Sequence, residues 1–131
     1  MKDFYIEKKI YYHDTDCGGV VYYANYLKFI EESRSEYCLS RGVSLKEWSD
    51  KGLLFPVVHA EITYKAPARY QDTIRIFSKL EKIGNTSVNF SHEIRRGDTL
   101  LIQSQVVWVC VGKDFKPHAI PEEIRTKLSS A

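Results

Sequence analysis

The stretch Tyr12-His13-Asp14-Thr15-Asp16-Cys17-Gly18-Gly19-Val20-Val21-Tyr22-Tyr23-Ala24-Asn25-Tyr26-Leu27 decides how this chain is read. It places a carboxylate, Asp16, directly before a Gly18-Gly19 turn, and places that turn before a helix. The helix is expected from about Ala24 to Ser40, stopping ahead of Gly42, a residue suited to the left-handed position that ends helices. Tyr23, Leu27, Ile30, Tyr37 and Cys38 recur at three- and four-residue spacings, with small Ser33 among them, and form its packing face. Lys28, Glu31, Glu32, Ser35 and Glu36 fill the other side. The first turn of a helix offers unpaired N–H groups and the positive end of the dipole. An acid held before such a turn is what an ester or thioester carbonyl needs beside it. An Asp before Gly-Gly is otherwise an ordinary turn former, so the flanking sequence has to decide.

Upstream, Phe4, Ile6, Ile10 and Tyr12 alternate with Tyr5, Glu7, Lys9 and Tyr11, which predicts a first strand over residues 3–12. Downstream, Ser44 with Glu47 three residues on is a capping-box pattern for a short helix to Asp50. Strands are then expected over 57–66, 73–83, 86–95 and 100–111, separated by Pro67, Gly84-Asn85 and Arg96-Gly97-Asp98. Short connections predict an antiparallel meander, and a helix after Pro121, residues 122–128, closes the chain. The expectation is one α+β domain over 1–131.

A helix of about 17 residues is about 25 Å long, roughly the width of five strands, so it covers one face of the sheet. Yet Val106-Val107-Trp108-Val109-Cys110-Val111 is apolar at every position, the pattern of a strand buried on both faces. An open sheet edge also needs a neighbour. A homodimer or larger oligomer, such as a tetramer built from two dimers, is therefore expected.

Composition narrows the partners. The 131 residues are 44% hydrophobic, enough for a core, and the net charge of +2 gives no bulk attraction for nucleic acid. No apolar run approaches the roughly 20 residues of a membrane span. Met1 to Lys9 lacks the apolar segment of a signal peptide. Cys17, Cys38 and Cys110 are odd in number and lack metal spacing, which suits reduced thiols in a cytoplasmic protein. Asp14 to Gly18 resembles the start of a calcium loop, but Gly18 and Asn25 stand where an EF-hand needs an oxygen ligand and Glu. His59, His92 and His118 are scattered. No metal and no cofactor is expected.

The quoted stretch, Tyr12 to Leu27, closely resembles the active-site motif of the 4-hydroxybenzoyl-CoA thioesterase family, nearest its Tol–Pal-associated acyl-CoA thioesterase branch. A second block, Tyr64-Lys65-Ala66-Pro67-Ala68-Arg69-Tyr70-Gln71-Asp72, is similar to the family's connection between strands. The resemblance runs over roughly residues 3 to 125. It implies the hotdog fold, a five-stranded antiparallel sheet wrapped around one long helix. It further implies that Asp16 is the catalytic carboxylate and that Tyr23 gives its backbone N–H to the thioester oxygen. The Tol–Pal-associated branch commonly carries His at the Tyr23 position. This chain has Tyr, as 4-hydroxybenzoyl-CoA thioesterase does, so no side-chain imidazole acts there.

The chemistry fits a lone carboxylate. A thiolate leaving group, its conjugate acid near pKa 8.5, departs with little protonation at neutral pH. Asp16 is able to act as a nucleophile through a mixed anhydride or as a general base on water. The amides around Val21 to Ala24 are expected as donors, with Gly18 and Gly19 allowing close backbone approach and Gly19, Val20, Tyr22 and Tyr26 touching substrate. Cys17, beside Asp16, is not expected to serve as the nucleophile. Asp14 reads as a hydrogen-bonding loop residue and His13 as a loop or interface histidine. Lys65, Arg69, Lys79 and Lys82, with Asn85, Thr86 and Ser87, are candidates for the phosphates of CoA, Lys65, Lys82 and Ser87 foremost. The acyl pocket is expected at Tyr23, Tyr26, Leu27 and Ile30, completed by the facing subunit. Two other functions fit the same resemblance, an enoyl-thioester hydratase and a non-catalytic module binding acyl-CoA or a protein. The first wants a His–carboxylate pair, and an intact Asp16 motif argues against the second.

Overall fold

The computed structural model describes residues 3–129. Strand β1 (Phe4–Lys9) leads through a single 3-10 turn (Tyr12–Asp14) and the glycine turn to the long helix α1 (Asn25–Ser40). The short helix α2 (Leu45–Asp50) follows, then strands β2 (Val57–Tyr64), β3 (Thr73–Ile83), β4 (Ser87–Arg96) and β5 (Thr99–Val109), and helix α3 (Glu122–Ser129).

The sheet is antiparallel throughout, in the order β1-β3-β4-β5-β2. Only β3-β4-β5 forms a meander. β1 holds the free edge of β3, so β2 pairs with β5 instead, and the chain crosses the end of the sheet between residues 65 and 72. The expectation of a meander over all the later strands is corrected to that extent. β1 is also shorter than the 3–12 expected: Ile10 still exchanges hydrogen bonds with Asp72 and Gln71, but Tyr11 and Tyr12 leave the sheet and are exposed.

Inward residues of the central strands, among them Ile74, Ile76, Val88, Phe90, Ile94, Ile102, Val106 and Trp108, build a core against α1. The helix buries Tyr26, Phe29, Ile30, Ser33, Arg34, Tyr37 and Cys38, so its packing face is rotated from the one expected. Tyr23 and Leu27 stay exposed, at 61% and 42%. The outer face of the sheet carries Arg75, Lys79, Glu93 and Arg95. Val107 and Val109 there are half-buried, so β5 is not closed on both faces within one chain.

Both ends of α1 explain their own boundaries. At its C-terminus Gly42 has φ +79°, the Val43 N–H donates to the Cys38 carbonyl (2.9 Å) and the Gly42 N–H to the Leu39 carbonyl (3.0 Å), a Schellman motif. At its N-terminus, Ala24 provides no side-chain cap and the first turn holds no acid. The Ser44 hydroxyl accepts from the Glu47 N–H (3.3 Å) at the start of α2.

Candidate active site

The glycine turn is a three-residue hairpin. The Gly19 N–H donates to the Asp16 carbonyl (3.1 Å) and the Asp16 N–H to the Val20 carbonyl (2.9 Å), with Gly19 at φ +77°. The Gly18 N–H donates to Asp16 Oδ1 (2.8 Å). One carboxylate oxygen is thus fixed by the turn, and the other has no hydrogen-bond donor among the described residues.

Loop 65–72 anchors this hairpin. The Val21 N–H donates to the Ala68 carbonyl (2.9 Å), and Val20 bridges to Arg69. The loop is itself braced, since Asp72 Oδ2 accepts from the Arg69 N–H (2.8 Å) and from Arg96 Nη1 (2.8 Å), which also donates to the Pro67 carbonyl (3.1 Å). Tyr26 adds a further link through its hydroxyl, which accepts from the Ala68 N–H (2.9 Å). The second sequence block therefore holds the first in place.

Asp14 is buried, at 5% exposure. Its Oδ2 accepts from the Tyr11 N–H (2.9 Å) and lies 3.7 Å from Lys8 Nζ. Its carbonyl accepts from the Tyr22 N–H (3.0 Å) and from Asn25 Nδ2 (3.0 Å). These bonds fit the loop role expected of it. His13 is exposed, with Nδ1 3.5 Å from Asp14 Oδ1.

The donor set expected over Val21 to Ala24 is corrected by these bonds. Val21 and Tyr22 spend their amides on Ala68 and Asp14. The Tyr23 and Ala24 N–H groups have no acceptor among the described residues, and they sit at the positive end of α1. Tyr23 lines a cleft of about 350 Å³ whose other walls include Asp16, Val20, Tyr26, Tyr64 and Lys65. A second groove of about 430 Å³ runs along α1 toward β2, past Leu27, Ile30, Arg34, Phe55 and Trp108.

Of the residues expected at the site, Asp16, Val20, Tyr23, Tyr26 and Lys65 share this cleft. Gly19 shapes the turn, and Tyr22 lies outside, its ring 5.0 Å from that of Tyr23. Lys82 and Ser87 are elsewhere. They flank the β3–β4 hairpin beside Val109 of β5, whereas Tyr64 pairs with Ile102, about 24 Å away by strand rise. A single chain therefore does not gather the expected phosphate contacts. Tyr64 is the residue that sequence reading missed. It opens the second motif block, but its place on the wall of the cleft is set by β2 pairing with β5, which is non-local.

Cys17 is an exposed free thiol, and Cys38 and Cys110 are buried, the Cys38 thiol pushed up to about 12 by burial. No group of three or more His, Cys, Asp or Glu able to hold a metal gathers among the described residues. No helix among them is long and apolar enough to cross a membrane.

A five-stranded antiparallel sheet wrapped around one long helix, with a glycine hairpin leading into that helix, is the hotdog fold found in thioesterases. Comparison with known proteins agrees: residues 18–108 match the family described as the thioesterase superfamily, and the chain belongs to it. It is 36% identical over 118 residues to the acyl-CoA thioester hydrolase YbgC of Escherichia coli O6:H1, covering 88% of each chain. A 1,4-dihydroxy-2-naphthoyl-CoA thioesterase from Synechocystis, Slr0204, superposes with a TM-score of 0.88 at 27% identity, over 97% of this chain and 96% of that one. The hypothetical protein TT1821 from Thermus thermophilus gives 0.92 at 26% identity, over 97% and 98%.

Proposed function

We propose that this protein is an acyl-CoA thioesterase, hydrolysing a small, medium or aryl acyl-CoA to the free acid and CoA. Asp16 serves as nucleophile or general base, and the Tyr23 amide receives the developing oxyanion. The observation that carries this reading is the meeting of Asp16 with Tyr23, whose amide is unpaired, on one cleft. Such donors are worth about 3 kcal/mol each when aimed at an oxyanion in a water-poor site. The names of the YbgC and 1,4-dihydroxy-2-naphthoyl-CoA relatives support a CoA thioester as substrate.

The acyl group lies in the groove past Leu27 and Ile30, with Lys65 at the rim toward CoA. Lys82 and Ser87 reach CoA phosphates only from a second copy of the chain. Strand β2 supports such a copy: it is the last strand of the sheet, and Val57, Val58 and Tyr64 on it are 46%, 58% and 44% exposed.

The test is a panel of acyl-CoA thioesters, acetyl to long-chain and aryl, read by a thiol reagent. Release of free CoA from at least one is expected. Hydration of crotonyl-CoA without thiol release would replace this reading with the hydratase, and binding without turnover of any thioester would leave only a binding module.

A further inference from the structure

We infer that Arg34 receives the far end of the acyl chain, and that the substrate is the CoA thioester of a dicarboxylic acid whose free carboxylate pairs with Arg34. The inference rests on the thioesterase reading above and names the substrate class for that site. Arg34 lies on the buried side of α1 and is 6% exposed. A guanidinium carries five N–H donors and keeps its charge, so burial leaves it in need of acceptors. Among the described residues Arg34 has no ion pair and no hydrogen-bond acceptor. Its Cζ lies 5.7 Å from the centroid of the Trp108 ring, a contact that holds the guanidinium without meeting its donors.

The donors are not sealed away. The one side-chain polar atom fully buried without a partner among the described residues is His92 Nε2. The unpaired Arg34 nitrogens therefore open on the groove of about 430 Å³ that Arg34 lines, a volume within the range of small-ligand sites. Glu31, the other charged residue on that groove, is exposed and forms no ion pair with Arg34. Burial lowers the pKa of the guanidinium, and Glu31 offsets this only in part.

The groove continues from the reacting centre. Tyr23 lines the cleft with Asp16, and Leu27, Ile30 and Arg34 line the groove. Spacings of four, three and four put these residues on one stripe of the helix. By helix rise Arg34 stands about 16 Å beyond Tyr23, and long helical side chains lean back toward the N-terminus, which shortens the span. After a hydrogen bond at each end, an extended chain advancing about 1.2 Å per bond bridges it with about six to nine carbons. A methyl-terminated chain of that length would cover the guanidinium with hydrocarbon and leave its donors unmet. A terminal carboxylate meets two of them at once and neutralises the charge.

The test is kcat/KM on two matched series of CoA thioesters, succinyl to dodecanedioyl against butyryl to dodecanoyl, read by thiol release. The parent should favour the carboxylate series by about tenfold or more near the bridging length. Arg34→Met removes the donors and should bring that ratio close to one, and Arg34→Lys should restore part of it. The ratio in the parent needs no substitution, so it decides the matter even where a variant fails to fold. A parent without the preference at any length overturns the inference. So does Arg34→Met with the parent's ratio. Equal losses on both series together with a lower sedimentation mass would also overturn it, placing an acceptor from a second copy on Arg34. The two readings fail separately. Thiol release from methyl-terminated thioesters without the preference removes only the Arg34 role. Thiol release from neither series, nor from aryl thioesters, removes the thioesterase assignment and this inference with it.

Discussion

At the scale of single residues, much of the site is written in a short stretch, and the rest is written far away. Asp16, Gly19 and Tyr23 are recognisable from Tyr12–Leu27 because turn formation and helix initiation are local events. Which amides stay free is not local. Val21 and Tyr22 look equal to Tyr23 and Ala24 in sequence, yet their acceptors are Ala68, 47 residues on, and the Asp14 carbonyl. Gly19 gives a direct check on the turn. A Cβ built there meets nothing within 4 Å, so Gly19→Ala meets only the cost of holding φ +77°. That substitution should destabilise the protein by about 1 kcal/mol, read from the urea midpoint. It should also lower kcat, because the Asp16 carboxylate rides on the same turn.

At the scale of elements, the period of α1 and its stop at Gly42 were legible, but the angle of its packing face was not. Leu27 reads as core by hydrophobicity, whereas the buried line runs through Phe29, Ser33 and Tyr37 because Ser33 allows close approach to the sheet. The Ser33 hydroxyl donates to the Ile76 carbonyl (2.8 Å) and lies 2.7 Å from Ser78 Oγ, which lies 3.0 Å from His92 Nδ1. Each hydroxyl has one proton. Ser33 gives its proton to Ile76 and Ser78 gives its own to Ser33, so His92 donates through Nδ1 and leaves Nε2 bare. Nε2 is buried without a partner. Burial first, and the nearby Arg34 second, hold the imidazole down to about 3.

The sign of the linkage follows. Between the unfolded pKa near 6.5 and the folded value, the unfolded chain binds the extra proton, so stability present above about pH 6.5 is lost as pH falls toward 3. The slope is at most about 1.4 kcal/mol per pH unit. Urea midpoints at pH 7 and pH 5 should differ in the parent and differ less in His92→Gln; equal differences would remove His92 from the account.

At the scale of the whole molecule, alternating strands and short turns announced a five-stranded sheet, and the order of its strands stayed hidden. Nothing in residues 57–64 says that they pair with β5 rather than β3. That choice follows from β1 occupying β3, a contact between residues about 70 apart in sequence. The same choice puts β2 at an edge with Val57 and Val58 exposed. An edge of this kind favours pairing with a second copy. The parent should therefore sediment as a dimer or tetramer, and Val58→Asp should lower its mass and its activity together; a monomeric, fully active parent would refute the shared site. The central claim is tested most directly by the steady-state kinetics of Asp16→Asn on the best acyl-CoA substrate, followed by thiol release. The account predicts a fall in kcat of about a thousandfold with KM nearly unchanged. Turnover within twofold of the parent would contradict it.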